Sequence, residues 1–130
     1  MPYTVALFGE AEKGEFRTAY FCRSLPQLAD TLGHPPEQSQ GLHFAVQVLM
    51  HEHQLVFFRV KEEGYSEDDY VLGLRFLKNK KMFPNLAAIG LPGVGEPSIY
   101  DATVPICRMY NGIIIATESD LYDYLTSCGG

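Results

Sequence analysis

The chain is short of several features that would assign a function directly. Its three cysteines, Cys22, Cys107 and Cys128, are odd in number and widely spaced, without a Cys-x-x-Cys pair. This spacing argues against a disulfide framework and indicates a reducing compartment, so we expect a cytoplasmic protein. The N-terminal residues also lack the basic start and long apolar core of a secretory signal.

Long apolar runs and excess positive charge are missing as well. No segment approaches the roughly 20 apolar residues that a membrane-spanning helix needs. Ten Lys and Arg residues stand against sixteen Asp and Glu residues, which gives a formal net charge of -6. Such a chain has no overall attraction to phosphate backbones or anionic lipid, so neither nucleic acid nor membrane is an expected partner.

Fingerprints of catalysis are also absent. The sequence has no Gly-x-Ser-x-Gly elbow, no Gly-x-Gly-x-x-Gly loop and no Gly-Lys-Ser/Thr phosphate loop. Four histidines, His34, His43, His51 and His53, do not have the spacing of metal ligands, because Gln47 occupies the position four residues after His43. We therefore expect these histidines at the polar edge of the fold, and the thiols to be buried or near a frayed end.

What is present indicates one folded domain over residues 1–130. Hydrophobic residues make up 46% of the chain and charged residues 20%, which is typical of a compact domain. A chain of this size buries roughly two-thirds of its unfolded surface and needs neither a metal nor a disulfide to fold.

Short apolar blocks alternate with longer stretches of helical period along the chain. The blocks predict strands at residues 4–8, 18–22, 55–60, 86–91 and 112–116. The longer stretches predict helices at residues 24–33, 41–51, 66–81, 98–111 and 117–129. Near-continuous apolar strands joined by helices predict an α/β fold: a three-layer, Rossmann-like open sheet, mostly parallel, with about four or five strands and helices on both faces.

Several residues predict where helices begin, end or bend. Ser24 and Thr117 are predicted N-caps, and Ser66 with Asp69 resembles a capping box. Pro105 falls inside a predicted helix, where it removes a hydrogen bond and clashes with the preceding turn, so we expect a kink or a break there.

Right-handed crossovers would place the loops that follow the strands along one edge of the sheet, which we call the rim. The main candidate site on the rim is the turn of Pro92, Gly93, Val94 and Gly95, followed by a helix from Ser98. Its glycines allow backbone N–H groups to face an anion, and the helix N-terminus adds partial positive charge. Alternatively, the glycines only make a tight turn.

Glu96 adjoins this turn and would repel a phosphate unless it accepts a ribose hydroxyl or a metal. Over residues 89–100 the segment resembles, in shortened form, the Pro-Gly-Gly-x-Gly-Thr loop of Rossmann-like nucleotide and cytokinin-riboside-phosphate enzymes. The second Gly of the pair and the Thr are missing here, so no catalytic residue carries over from that resemblance.

A second candidate on the rim follows the first strand, where nucleotide-binding folds often place their phosphate loop. Gly9, Glu10 and Lys13 lie there, and Lys13 could pair with an anion. A mobile, solvated loop is the alternative. Thr117 would contact a ligand only in addition to capping its helix.

Acidic residues mixed with tyrosines point to a protein partner or to self-association as a homo-oligomer through Tyr65, Tyr70, Tyr122 and Tyr124. Solvated helix starts are the alternative, because acidic residues are favoured in first helical turns.

The leading hypothesis is a noncatalytic small-ligand-binding or regulatory module that holds a nucleotide-like or other anionic ligand at the rim between Gly93 and Ser98. A small nucleotide- or sugar-phosphate-processing enzyme with Glu10 or Glu96 as general base is the second, and an adaptor acting through its acidic, tyrosine-rich face is the third. No cofactor follows from the sequence.

Overall fold

Residues 3–128 are described by a computed structural model, and they form five strands and five helices. Two helices follow the second strand, and strands and helices alternate from there on, as predicted. In chain order the elements are β1 (Thr4–Gly9), β2 (Ala19–Cys22), α1 (Leu25–Leu32), α2 (Gly41–Met50), β3 (Gln54–Arg59), α3 (Glu67–Phe76), β4 (Leu86–Gly90), α4 (Pro97–Tyr110), β5 (Ile113–Ile115) and α5 (Glu118–Cys128).

The strands form one sheet in the order β2-β3-β1-β4-β5. Strands β3, β1, β4 and β5 are parallel, which confirms the predicted α/β fold with a mostly parallel sheet. Strand β2 is the exception and runs antiparallel to β3. The loop at residues 10–18 explains the exception, because it is too short for the crossover that a strand parallel to β1 would require.

Alternating side chains of the strands pack into two cores, one on each face of the sheet. Val5 and Leu7 belong to the core that α1, α2 and α5 cover. Ala6 and Phe8 belong to the core that α3 and α4 cover. Burial on both faces is why the strands are apolar throughout instead of alternating with polar residues.

Two of the predicted helix caps are confirmed. The Ser24 hydroxyl accepts the Gln27 N–H at 3.3 Å. The Thr117 hydroxyl accepts the Asp120 N–H at 3.1 Å, and the Asp120 carboxylate accepts the Thr117 N–H at 3.2 Å. The predicted end of the last helix at Gly129 lies outside the described residues.

The predicted capping box at Ser66 is wrong. The Ser66 hydroxyl makes no cap bond to α3 and instead accepts the Glu62 N–H at 2.7 Å. Asp69 is buried and turns inward, toward Arg17 and the backbone of Lys61. The bonds of Asp69 to Arg17 and to the Lys61 N–H therefore outweigh the local cap that the spacing favours.

The predicted break at Pro105 is also wrong, because α4 continues from Pro97 to Tyr110 through the proline. Pro105 lies on the exposed side of the helix. Ile99 and Ile106, on either side of it, are buried in the core. This packing holds α4 against the sheet despite the missing backbone donor.

The thiols of Cys22 and Cys107 are buried. Burial raises the pKa of both, to about 11 for Cys107. Neutral, buried thiols are poor nucleophiles. The side chain of Cys128 lies outside the described residues.

Within residues 3–128, no helix has the length and apolar character needed to cross a membrane.

Candidate functional site

The strand order creates a topological switch point between β1 and β4. After β1 the chain continues to β2 and β3 on one side of the sheet, whereas after β4 it continues to β5 on the other. In open parallel sheets, ligands bind in the crevice outside the carboxyl ends of two such strands. The corresponding position here, between Glu10 after β1 and the Gly93 turn after β4, is called the crevice below.

The loops after β1, β3 and β4 meet at this crevice, as the rim prediction requires. The Glu10 N–H donates to Glu63 Oε1 at 3.0 Å, which joins the first two loops. A Cβ on Gly93 would lie 3.9 Å from Glu63 Cγ, which places the third loop beside them.

Glu63 is the central side chain of the site, and sequence reasoning missed it. Its Oε1 also accepts the Gly41 N–H at 3.1 Å, and its Oε2 accepts the Gln40 N–H at 2.6 Å. Gln40 is the N-cap residue of α2 and makes no side-chain cap bond of its own. The Glu63 carboxylate therefore occupies the helix N-terminus where a phosphate would otherwise bind.

Glu10 and Glu63 hold each other reciprocally. The Glu63 N–H donates to Glu10 Oε2 at 2.8 Å, in return for the bond from the Glu10 N–H. Burial raises the pKa of Glu63, three backbone N–H bonds oppose that rise, and the charge of Glu10 adds to it. Because the net direction is upward, Glu63 keeps a proton at a higher pH than an ordinary glutamate.

Glycine allows the close approach behind this pair. A Cβ on Gly9 would lie 2.6 Å from Glu63 Oε1 and 2.9 Å from Gly41 Cα. Since the second of these atoms is backbone, a side chain at Gly9 would force β1 and α2 apart. The predicted site residue Gly9 therefore shapes the site without contacting a ligand through a side chain.

The Gly93 turn contains both buried and exposed residues. Pro92 and Val94 are buried, and Val94 is further held by the Tyr100 hydroxyl, which donates to the Val94 carbonyl at 2.9 Å. Gly93 has a φ of 78°, in the left-handed region that favours glycine. Gly95 is exposed, and a Cβ added there would meet no atom within 4 Å.

The first turn of α4 borders the same crevice, and carboxylate side chains lie next to it. Glu96 is the N-cap residue of α4, is exposed and makes no side-chain cap bond. The Ser98 hydroxyl donates to Glu67 Oε1 at 2.8 Å. Together with Glu10 and Glu63, these carboxylates make the rim more acidic than the anion-site prediction assumed.

Lys13 belongs to a loop that the fold ties down at several points. Its backbone N–H donates to the Leu32 carbonyl at 3.0 Å, beside the end of α1. Arg59 donates to the carbonyl of Ala11 at 2.8 Å and also to the carbonyl of Gly14. These bonds connect the loop to α1 and β3.

Asp69 binds both Arg17 and the segment that follows β3. Arg17 Nε donates to Asp69 Oδ1 at 2.5 Å, and the Lys61 N–H donates to Asp69 Oδ2 at 2.8 Å. Arg17 has a φ of 57°, so the ion pair also holds a residue in the left-handed region.

Two of the four tyrosines assigned to a partner surface are inside the protein. Tyr70 is completely buried and Tyr124 is 7% exposed, so their rings cannot form such a surface. Tyr65 and Tyr122 are exposed, at 79% and 62%.

Metal-ligating side chains do not gather in the described part of the chain. No group of three or more His, Cys, Asp or Glu residues within residues 3–128 has the geometry to hold an ion. His53 is buried, and burial lowers its pKa more than a hydrogen bond to the Tyr3 carbonyl raises it.

Comparison with known proteins adds no assignment. No protein-family model matches the chain, and no curated protein matches its sequence. The case for a site at the rim therefore depends on the geometry described above.

Proposed function

We propose that this protein is a noncatalytic small-ligand-binding or regulatory module, and that its ligand occupies the crevice between the carboxyl ends of β1 and β4. The observation that carries the proposal is the convergence of the Glu10–Glu63 pair and the Gly93 turn at the switch point. This is the place where open α/β sheets bind ligands.

The carboxylates of the rim favour hydroxyl groups on the ligand, and the N-terminus of α4 favours an anionic end, a combination that a nucleotide has. Carboxylates accept hydrogen bonds, so Glu10 and Glu96 suit the hydroxyls of a ribose or a related sugar. Glu63 already fills the N-terminus of α2, so the anionic end is assigned to the first turn of α4, after Gly95 and near Ser98.

A thermal-shift screen with nucleosides, nucleotides and sugar phosphates tests the proposal, because a ligand of the folded state raises the melting temperature. At a concentration 100 times its Kd, a ligand adds about 2.7 kcal/mol of stability. We expect nucleotides to raise the melting temperature more than the corresponding nucleosides do, because the phosphate adds the contact with the first turn of α4.

Gly95→Leu is the informative variant. Space around Gly95 is open and its φ is outside the left-handed region, so a leucine would enter the crevice without disturbing the fold. We expect it to abolish the ligand-induced shift, while Ala29→Leu on the exposed face of α1 keeps it. Absence of any shift across the screen, or an unchanged shift in Gly95→Leu, would contradict the proposal.

The raised pKa of Glu63 beside Glu10 favours an enzyme at the same rim as the second candidate. A carboxyl group that keeps its proton to a higher pH can serve as a general acid beside a second carboxylate. Turnover of a compound from the screen, lost in Glu10→Gln while binding persists, would identify that enzyme.

A further inference from the structure

Two cavities lie away from the rim and border the same edge of the sheet. One, of about 730 Å³, opens between α5 and the segments that precede β4 and β5. The other, of about 550 Å³, lies on the opposite side of β5 against α4. Asn111, Ile113 and Ile114 line both cavities, so the two meet at β5.

Strand β5 is an open edge of the sheet. Within residues 3–128 it pairs with β4 alone. The Leu91 N–H donates to the Ile115 carbonyl at 2.8 Å, so the backbone of Ile115 faces β4. Because successive residues of a strand face opposite ways, the N–H and C=O of Ile114 face outward, away from β4.

We propose that the β5 edge binds an extended segment of a partner protein as a sixth strand. A partner residue opposite Ile114 would exchange two backbone hydrogen bonds with it in antiparallel pairing. Side chains of an added strand alternate between the two faces of the sheet. One extended segment would therefore fill both cavities, whereas a small molecule would fill only one of them.

The residues that line each cavity define the partner's side chains. Ile114 packs with the core of the α4 face. Val104, Cys107 and Arg108 line the cavity there, so the partner residue opposite Ile114 is apolar and carries no positive charge. The two residues beside it face the other cavity, which Asp120 and Asp123 line. Helix α5 contains no basic residue, so charge complementarity favours Lys or Arg at these two positions.

The resulting motif is basic, apolar, basic, in an extended conformation. A second copy of this chain fits it poorly, because Ile113 and Ile115 flank Ile114 in place of basic residues. Antiparallel pairing of two β5 edges would also bring the acidic α5 helices to the same face. This inference is independent of the proposed ligand at the rim, which lies on other strand ends.

Fluorescence anisotropy with two labelled, capped peptides tests the motif. Both are short serine- and glycine-flanked segments, one with Lys-Val-Lys at its centre and one with Glu-Val-Glu. We expect the Lys peptide to bind and to weaken as salt is raised, and the Glu peptide not to bind. Equal binding of both peptides, or binding of neither, would overturn the proposal.

Two variants locate the contact. Asp123→Lys reverses an exposed charge beside the edge and should weaken binding about tenfold, whereas Asp30→Lys on α1 should leave it unchanged. Ile114→Pro removes the outward N–H, which the β4 ladder does not use, and should abolish binding.

Amide chemical-shift changes on adding the Lys peptide should center on residues 112–116. Changes at the Gly93 turn instead, or an Asp123→Lys variant that binds as tightly as the parent, would refute the β5 site. A concentration-dependent dimer that Ile114→Pro dissociates would show that a second copy occupies the edge, and would also overturn the assignment to a partner.

Discussion

Two carboxylates that follow β3, Glu63 in the loop and Asp69 in the first turn of α3, are held in opposite ways. Asp69 is buried and faces the Arg17 guanidinium, so its charge is balanced by an ion pair. Glu63 is half-buried, its carboxylate accepts backbone N–H groups, and the charge that acts on it is the like charge of Glu10. The difference indicates that Asp69 stabilises the fold. Among the described residues Glu63 has no positively charged partner, so its carboxyl group can interact with a ligand at the switch point.

The largest expected loss of stability comes from adding a side chain at Gly9, next to Glu63. Gly9→Ala would place a Cβ 2.6 Å from Glu63 Oε1 and 2.9 Å from Gly41 Cα, so the backbone must move. We expect a loss of about 3 kcal/mol in the free energy of unfolding, the upper range for overpacking. Urea denaturation measures it.

The matched control is Gly95→Ala, where a Cβ meets no atom within 4 Å. It should change the free energy of unfolding by less than about 0.5 kcal/mol, as surface substitutions usually do. Equal losses in the two alanine variants would mean that Gly9 is not constrained by α2.

The next largest effect is expected from removing the carboxylate of Asp69, which pairs with Arg17. Asp69→Ala leaves the Lys61 N–H without its acceptor and Arg17 without its partner. We expect a loss of about 2 kcal/mol, chiefly from the unsatisfied backbone donor, because Arg17 is already largely exposed. The reverse truncation, Arg17→Ala, isolates the ion pair, and urea denaturation of both variants gives the two contributions.

The smallest effect concerns pH. Because the pKa of Glu63 is raised in the folded state, protonation favours folding, and this stabilisation is complete below the unfolded pKa of about 4.3. It is lost as the pH rises through the raised pKa of the folded state. We expect Glu63→Gln to remove this pH-dependent loss, seen as a flatter plot of unfolding free energy against pH.

Asp69→Asn serves as the comparison in the same titration, since it leaves the Glu10–Glu63 pair intact. Its plot should keep the decline that Glu63→Gln abolishes. If Glu63→Gln retains the full decline, another group causes it and the comparison between the two carboxylates fails.

Much of the fold was predictable because it depends on local patterns. The apolar block at residues 86–91 became β4, and the caps at Ser24 and Thr117 formed as predicted. The error at Ser66 has a distant cause, since Asp69 pairs with Arg17, 52 residues away in the chain. Local spacing carries no information about such a partner.

The rim itself was predicted, but its central residue was not. Residues 61–65 were predicted as a turn on the rim, but Glu63 was not singled out, because its partners Gly41 and Glu10 are 22 and 53 residues away in the sequence. One signal was available: the helix from Gly41 has no capping side chain before it, which implies that a cap must come from elsewhere.

By itself, the sequence determined which segments become strands and helices, and that the sheet is buried on both faces, because hydrophobic period and helix caps act over a few residues. Tertiary structure alone decided the strand order, the open edge at β5 and the placing of Glu63 on the N-terminus of α2. These features depend on which distant segments pair, and the free energy of that pairing is not set by any one segment's composition.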